Sequence, residues 1–238
     1  MSWTARNLSD IPGITHGFLG IDDALPVDAF YCRQQHTAEV VDAPTTGGSG
    51  VVIGDGGFTD QTRPVAVLTA DCLPLLIAST DGHHVAAVHG GWKGLQAGIL
   101  GNVLARFAQA GVAREDLRMA IGPSIKACCY EVSADFIDTL EQHHDNLWPA
   151  NGKPWRSTRL AALQRPALPQ PPAINADGAW FDLSRYAELL LAEQGIEAAH
   201  IEVIDVCTCC HTQALGSYRR RTHWPAERTQ QFSWVARV

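Results

Sequence analysis

The sequence lacks the features that mark membrane, secreted and nucleic-acid-binding proteins. No apolar run in its 238 residues approaches the length of a membrane span. The first residues, Met1 to Arg6, have no apolar core of the kind found in a secretory signal. The formal net charge of −7 repels nucleic-acid phosphates, and no basic stripe reverses that repulsion. We therefore expect a cytoplasmic protein with neither a membrane nor a nucleic-acid partner.

Length and pattern predict a single domain over residues 1–238, of class α/β or α+β with mixed sheets. Residues 146–178 are rich in Pro, Asn and Gly and are predicted to be a long surface loop of that domain. Apolar segments bounded by turn-forming residues predict buried strands. These strands are Val65–Leu68, Leu73–Ala78, Val85–Val88, Leu117–Ile121, Ile201–Val206 and Gln231–Val238. Pro74 predicts a sheet edge or a break in the second of them.

Helices are predicted from apolar spacing and from capping residues. Apolar side chains recur every four residues from Trp92 to Ala110, which predicts one amphipathic helix closed by Gly111. Ser133 is a candidate cap for a second helix, and Asp182 or Ser184 for a third.

The seven cysteines are an odd number and include close neighbours, at Cys128-Cys129 and at Cys207-Thr-Cys209-Cys210. Adjacent cysteines rarely bridge each other, and a cytosolic setting favours free thiols. A structural zinc site would need a second Cys or His pair near Cys207, and only His211 stands close in sequence. We therefore expect a packed cluster of thiols.

Two segments carry the residues with catalytic potential. Cys72 follows an apolar strand within Thr69-Ala-Asp-Cys-Leu-Pro74, and His89 follows another within Ala87-Val-His-Gly-Gly-Trp-Lys-Gly94. Each residue alone is more often a core or hydrogen-bonded side chain. Because open α/β sheets gather ligands at the carboxyl ends of their strands, the two together favour a functional site. Asp71 is a candidate acid or base, or a carboxylate that orients a neighbour.

The turn at Gly90-Gly-Trp-Lys-Gly94 joins a strand to a helix, where free backbone N–H groups attract anions. Lys93 would add a positive charge. The turn is not a Walker loop, because its glycine spacing is wrong and it lacks Ser or Thr. A phosphate or carboxylate site and a simple tight turn are the two interpretations. The basic cluster at Arg219-Arg220-Arg221 suits a small anion or a solvated turn.

Together these segments resemble the YfiH family, also called the laccase-domain or multicopper polyphenol oxidase family and the peptidoglycan editing factors. The resemblance runs from about His16 to Val235. The matching segments are Gln34-Gln-His36, Thr69-Ala-Asp-Cys-Leu-Pro74, Ala87-Val-His-Gly-Gly-Trp-Lys-Gly94, Ile121-Gly-Pro123, Cys129-Tyr-Glu-Val132, Cys207-Thr208 and Ser217-Tyr-Arg-Arg220.

The resemblance implies a layered α/β/β/α fold and a metal bound by His36, Cys72 and His89. His36 enters the ligand set through the resemblance alone. A thiolate with two imidazoles suits zinc, which we expect, or copper as the alternative. Three protein ligands leave a fourth position for water or substrate, which is typical of a catalytic site.

The resemblance also implies a purine nucleoside phosphorylase for adenosine, inosine and methylthioadenosine, with adenosine deaminase activity. The expected partners are a purine nucleoside and phosphate, bound by Gln34, Lys93, Arg219 and Arg220. The expected assembly is a monomer or a weak homodimer. Copper-dependent polyphenol oxidation is at most a side activity, because the ten histidines include no His-X-His pair of the kind frequent in multicopper centres.

An alternative function is amide hydrolysis that edits the peptidoglycan precursor UDP-MurNAc-L-Ser. Cys72 would then be the nucleophile and His89 its base. His36 argues against a metal-free version, since such a dyad has no use for a second imidazole.

Three departures from the family pattern concern the substrate pocket. The segment from His16-Gly-Phe-Leu-Gly20 runs almost directly to Gln34, without an N-terminal loop found in the family. Lys93 stands where the family has arginine, and Ala226-Glu-Arg228 replaces the Thr-Gly-Arg of the family.

Overall fold

Two mixed β-sheets packed face to face form the centre of the molecule. The computed structural model describes residues 1–144, 147–148, 152–164, 168–225, 227 and 229–238. Within them, the larger sheet has the order β12 (Ile201–Val203), β8 (Leu117–Ile121), β6 (Leu73–Ser79), β7 (Val85–Gly90), β4 (Gly56–Thr59) and β3 (Val40–Asp42). Its inner strands β8, β6, β7 and β4 are antiparallel, and its outer strands β12 and β3 pair in parallel.

The smaller sheet has the order β1 (Ile14–Phe18), β13 (Gln231–Arg237), β5 (Val65–Thr69) and β2 (Phe30–Tyr31). Strand β13 is antiparallel to both of its neighbours, and β2 is parallel to β5. A separate antiparallel ribbon consists of β10 (Trp155–Arg156), β11 (Ala179–Phe181) and β9 (Glu131–Val132).

Helices cover the other face of the larger sheet. The described helices are α1 (Arg6–Ser9), α2 (Trp92–Gln96), α3 (Ile99–Gln109), α4 (Ala134–His143), α5 (Leu183–Glu193) and α6 (Tyr218–His223). Apolar residues of α3 and α5 form one core with the larger sheet, and the two sheets enclose a second core. The predicted class, α/β with layered mixed sheets, is confirmed. No helix in the described part of the chain is long and apolar enough to cross a bilayer.

Strand β6 lies in the middle of the larger sheet and is buried on both faces. Leu75 and Ile77 point to the helices, whereas Leu76 and Ala78 point to the smaller sheet. Burial on two faces explains the unbroken apolar run. The prediction that Pro74 marks an edge or a break is wrong. The proline is tolerated because it lies at the beginning of the strand, before the pairing with β8 starts.

The single helix predicted over Trp92 to Ala110 is two helices. Gly98 has φ of +92°, a left-handed conformation that a continuous helix cannot contain. The chain therefore turns between α2 and α3. The predicted caps are confirmed, since Ser133 Oγ accepts from the Phe136 N–H of α4 and Asp182 Oδ1 accepts from the Arg185 N–H of α5.

Two glycine substitutions test whether the chain breaks between α2 and α3. We expect Gly98→Ala to destabilise the fold by ~1–2 kcal/mol, because alanine is strained in the left-handed region. Gly101→Ala lies inside α3, where an added Cβ would meet only Gln194 Oε1 at 3.9 Å. It should stabilise the fold by about 0.5–1 kcal/mol. Urea denaturation of both variants measures the two signs, and equal signs would contradict the helix break.

Candidate metal centre

His36, Cys72 and His89 converge from three separate segments. One donor atom of each side chain lies within 4.8 Å of the others. The His36 Nε2 atom is 3.6 Å from the Cys72 Sγ atom. A tetrahedral zinc ion with ordinary Zn–N and Zn–S bonds would set these two atoms ~3.6 Å apart. His89 is buried, Cys72 is half-buried and His36 is exposed, so the cluster opens to solvent on the His36 side.

The register of two antiparallel strands brings Cys72 beside His89. Cys72 lies where the chain crosses from β5 in the smaller sheet to β6 in the larger one, and His89 lies inside β7. Since β6 and β7 are antiparallel, the start of one is next to the end of the other, and Pro74 pairs with His89. The two residues are close together, as the sequence predicts, but antiparallel pairing rather than a shared carboxyl edge brings them there.

Asp55 is a site residue that the sequence analysis missed. It is fully buried, and its Oδ1 accepts from His89 Nδ1 at 2.8 Å. The same carboxylate accepts from the backbone N–H groups of Gln35, His36 and Thr37 and from the Thr37 hydroxyl, at 2.7–3.1 Å. Because an ionised carboxylate only accepts, His89 carries its proton on Nδ1 and presents Nε2 to the cluster.

The only sequence signal for Asp55 is a carboxylate between glycines, in Gly54-Asp-Gly-Gly57, at the start of β4. A buried carboxylate needs partners. Those partners, however, belong to distant segments that the sequence does not connect with it.

The His36 loop is held in a strained conformation against a glycine. His36 has φ of +61°, a region that few residues other than glycine adopt. A Cβ added to Gly91 would lie 2.7 Å from the His36 Cδ2 atom, and one added to Gly94 would lie 2.8 Å from the Thr37 carbonyl oxygen. These glycines allow the turn after β7 to approach the His36 loop, and helix α2 after it has only five residues. Close packing against the His36 loop therefore accounts for the glycines of this turn, and the anion site stays a prediction.

Hydrogen bonding favours the thiolate form of Cys72. Burial raises the pKa of this thiol, but hydrogen bonds from His36 and His89 outweigh burial and lower the pKa to about 7. Burial lowers the pKa of His89, and the opposing bonds to Asp55 and Cys72 raise it to about 9. The thiolate is the form that binds metal ions and attacks electrophiles.

Asp71 connects the Cys72 loop to two other loops. Its buried carboxylate accepts from Thr208 Oγ1 at 2.6 Å, from Ser217 Oγ at 2.9 Å and from the Arg219 N–H at 2.6 Å. Burial raises the pKa of this carboxyl group and the three donated bonds lower it, with burial prevailing. Both carboxylate oxygens are engaged, so the geometry fits an orienting residue better than a general acid or base.

Arg219 flanks the cluster. One Nη atom donates to the Glu131 carbonyl at 2.9 Å, and the guanidinium lies over the Tyr130 ring at 5.4 Å. Burial raises the pKa of Tyr130, the Cys72 charge raises it further and the Arg219 charge lowers it. Tyr130 and Arg219 thus form a wall, which the bond from the Arg219 N–H to Asp71 keeps beside the Cys72 loop.

Arg220 occupies a different position from its neighbour. Its guanidinium donates to the carbonyl oxygens of Thr208 at 2.7 Å, of Cys209 at 3.0 Å and of Leu215 at 2.5 Å. These bonds commit the side chain to the loop that carries Thr208. The structure therefore gives Arg220 a structural position, and its contact with substrate stays a prediction.

The other two predicted substrate residues have local partners. The Gln34 amide donates to the Leu68 carbonyl and accepts from the Leu68 N–H, both at 2.8 Å. Lys93 is exposed, and its Nζ atom lies 5.6 Å from the centre of the Trp92 ring. Neither is in the cluster of donors. The segment Ala226-Glu-Arg228 departs from the family pattern, and its residues Ala226 and Arg228 lie outside the described part of the chain.

A family profile described as multi-copper polyphenol oxidoreductase laccase matches residues 20–235. That range is nearly the whole chain. The chain belongs to this laccase-like YfiH family.

Curated relatives in the YfiH family carry enzyme names. The chain is 31% identical to "Purine nucleoside phosphorylase YlmD" of Geobacillus stearothermophilus over 168 residues, which are 70% of this chain and 54% of YlmD. It is 31% identical to a purine nucleoside phosphorylase of Aquifex aeolicus over 79% of this chain and 74% of that protein. "Adenosine deaminase RL5", from an unknown prokaryotic organism, is 27% identical over 83% of this chain and 62% of RL5. The aligned part of the chain thus spans about half the length of YlmD.

Solved structures of YfiH-family proteins share the fold. The crystal structure of YlmD from Geobacillus stearothermophilus superposes with a TM-score of 0.78 at 23% identity, over 98% of this chain and 94% of that one. YfiH of Bacillus licheniformis gives a TM-score of 0.75 at 20% identity, over 96% and 94%. The fold expected from the resemblance is confirmed.

Asp55→Asn should weaken metal binding while leaving the fold intact. Removing the charge that orients His89 and the His36 loop is expected to lower zinc affinity by about 10–100-fold. Competition with a chromophoric chelator measures the affinity. The control is Asp60→Asn, an exposed carboxylate close in sequence, which should have no effect. Unchanged affinity in Asp55→Asn would contradict the proposed orienting role.

Gly91→Ala should act on the same centre by steric displacement. The new Cβ would collide with the His36 ring, and we expect zinc affinity to fall by roughly tenfold or more. Gly101→Ala adds the same methyl group away from the site and serves as the matched control. Equal affinities of the two variants, measured by the same competition, would show that His36 is not a ligand.

Proposed function

We propose that this chain is a metal-dependent purine nucleoside phosphorylase that acts on adenosine, inosine and methylthioadenosine and also deaminates adenosine. The observation that carries the proposal is the open cluster of His36, Cys72 and His89, supported by Asp55. The names of the YfiH-family relatives, purine nucleoside phosphorylase and adenosine deaminase, supply the reaction class.

The donor set fits zinc, because a thiolate and two imidazoles match the ligands and the distances of a zinc site. Copper accepts the same donors, and phenol oxidation at a single copper is proposed only as a side activity. When bound, the metal acts as a Lewis acid with one coordination position left for water or substrate.

The chain's own residues orient this centre. Asp55 fixes the His89 tautomer so that Nε2 faces the cluster. Asp71 holds the Arg219 backbone beside the Cys72 loop. We propose that Cys72 and His89 act in the reaction as ligands, and that Asp71 acts as a positioning residue rather than a proton donor.

Arg219 is the proposed phosphate-binding residue. Its guanidinium is half-buried beside Tyr130 and presents a planar fork suited to phosphate oxygens. In phosphorolysis, a phosphate oxygen bonds to the anomeric carbon of the ribose while the glycosidic C–N bond breaks. The purine leaves with that electron pair and takes up a proton. Arg219 would hold the attacking phosphate in position.

A second candidate is a metal-free cysteine amidohydrolase that edits UDP-MurNAc-L-Ser. One observation favours it. Cys72, His89 and Asp55 line up as nucleophile, base and orienting carboxylate. His36 separates the two candidates, because the triad does not use it whereas the metal centre does.

The test compares His36→Ala with Gln35→Ala, an exposed neighbour on the same loop. We expect purified wild-type protein to release hypoxanthine from inosine only when inorganic phosphate is present, and to lose this activity when the metal is removed. His36→Ala should lose at least about 100-fold in kcat/KM, the usual scale for disrupting a catalytic group. Gln35→Ala should keep wild-type activity.

Other outcomes would redirect the assignment. Base release without phosphate would indicate hydrolysis instead of phosphorolysis. Full activity in the metal-stripped protein and in His36→Ala, with none in Cys72→Ala, would overturn the metal mechanism in favour of the cysteine triad. Liquid chromatography of the released base and of ribose 1-phosphate distinguishes these cases.

A further inference from the structure

A second group of sulfur atoms lies apart from the centre at Cys72. Its cysteines are buried together with Ile125 and are free thiols; they are Cys128, Cys129, Cys207, Cys209 and Cys210. The predicted packing of these cysteines into one cluster is confirmed. No second pair stands near Cys207 in sequence, but the structure brings Cys128 and Cys129 beside it.

Four of these sulfurs have the arrangement of a metal site. The Sγ atoms of Cys128, Cys129, Cys207 and Cys210 all lie within 4.8 Å of one another. The Cys128–Cys210 separation is 3.7 Å and the Cys129–Cys210 separation is 3.4 Å. In a tetrahedral zinc tetrathiolate, with its ordinary Zn–S bond length, neighbouring sulfurs would be ~3.8 Å apart.

Two tight turns direct the four side chains to one point. Adjacent residues of a strand point to opposite faces. Cys128 and Cys129, however, lie in a turn, in which the N–H groups of Cys129 and Tyr130 both donate to the Lys126 carbonyl. Cys207 and Cys210 have the C-x₂-C spacing common in zinc sites. A parallel β-bridge between the backbones of Ser124 and Cys207 fixes the two turns side by side.

We propose that Cys128, Cys129, Cys207 and Cys210 bind a structural zinc ion, separate from the centre at His36, Cys72 and His89. Four protein ligands close the coordination shell, which is the mark of a structural rather than a catalytic zinc. The site is compact. In a multi-iron cluster the cysteines bind different iron atoms, and these four sulfurs lie too close together to hold several iron atoms between them. A single tetrahedral ion with four sulfur ligands is therefore the occupant that fits.

Cationic side chains surround the turns and would offset the negative charge of four thiolates. Arg159 donates from Nε to the Cys128 carbonyl at 2.7 Å, and its buried Nη2 atom has no hydrogen-bond partner within the described chain. Arg220 donates to the Cys209 carbonyl at 3.0 Å. The Lys126 side chain begins on the turn of the first pair and is buried, with its Nζ atom donating to Ser184 Oγ at 2.6 Å. Positive charge at such a site favours thiolates over thiols.

The proposed ion would stabilise one wall of the first centre. Thr208, which lies within the C-x₂-C turn, donates its hydroxyl to Asp71, and Asp71 holds the Arg219 backbone. Tyr130 directly follows the first cysteine pair. Zinc that joins the two turns would therefore fix Tyr130 and Arg219 relative to the Cys72 loop.

The test uses a protein in which the second site is untouched. Cys72→Ala, purified under reducing conditions, lacks a ligand of the first centre and should still hold about one zinc per chain. X-ray absorption of its zinc should show four sulfur neighbours at about 2.3 Å. Cobalt substituted into this variant should give the strong visible bands of a tetrahedral thiolate complex. This experiment does not depend on the proposed enzyme activity.

A matched pair of variants completes the test. In the Cys72→Ala background, Cys210→Ser should remove the remaining zinc, whereas Cys209→Ser, at a buried neighbouring cysteine outside the group of four, should retain it. Three results would each overturn the proposal. These are a Cys72→Ala protein without metal, bound iron in place of zinc, or a disulfide among these cysteines in the freshly purified protein.

Discussion

The buried carboxylate of Asp55 is the interaction on which the first centre depends. It accepts from the His89 ring and from three consecutive backbone N–H groups of the His36 loop. One charge therefore positions a side chain of a central strand and a loop that carries a strained residue. An isolated carboxylate would be costly to bury, so these partners and the charge stabilise each other. Two of the three candidate ligands owe their orientation to it.

Asp71 performs the corresponding task on the opposite side of the Cys72 thiol. It also has a positive φ, of 84°, and its carboxylate gathers the loops of Thr208, Ser217 and Arg219. The two acidic residues thus hold Cys72 between the imidazoles of His36 and His89 and the wall formed by Tyr130 and Arg219. Long-range contacts of this kind give a rigid site on a scaffold of buried strands.

The four-cysteine cluster adds a third constraint at the far side of that wall. Thr208 belongs to both systems, since it lies between Cys207 and Cys210 in sequence and donates to Asp71. Arg220 strengthens the same turn through its carbonyl contacts. The residues that position Arg219 and those that surround the cysteines therefore form one continuous network, although only the cluster at Cys72 opens to solvent.

Several properties were determined by the sequence alone. The buried strands from Val65 to Val88 and the caps at Ser133 and Asp182 follow from local pattern and side-chain chemistry. The family and its fold followed from several long motifs in the right order, and residues 20–235 match the family profile.

The tertiary structure alone decided which side chains meet. Asp55 joins its partners, and the cysteine pairs join each other, across long stretches of chain. Whether such groups approach depends on sheet register and loop packing rather than on local propensity. The same reason separates Arg219 from Arg220. Adjacent in sequence, they lie on one short helix, yet Arg219 packs on Tyr130 and donates to the Glu131 carbonyl whereas Arg220 binds the carbonyls of a neighbouring turn.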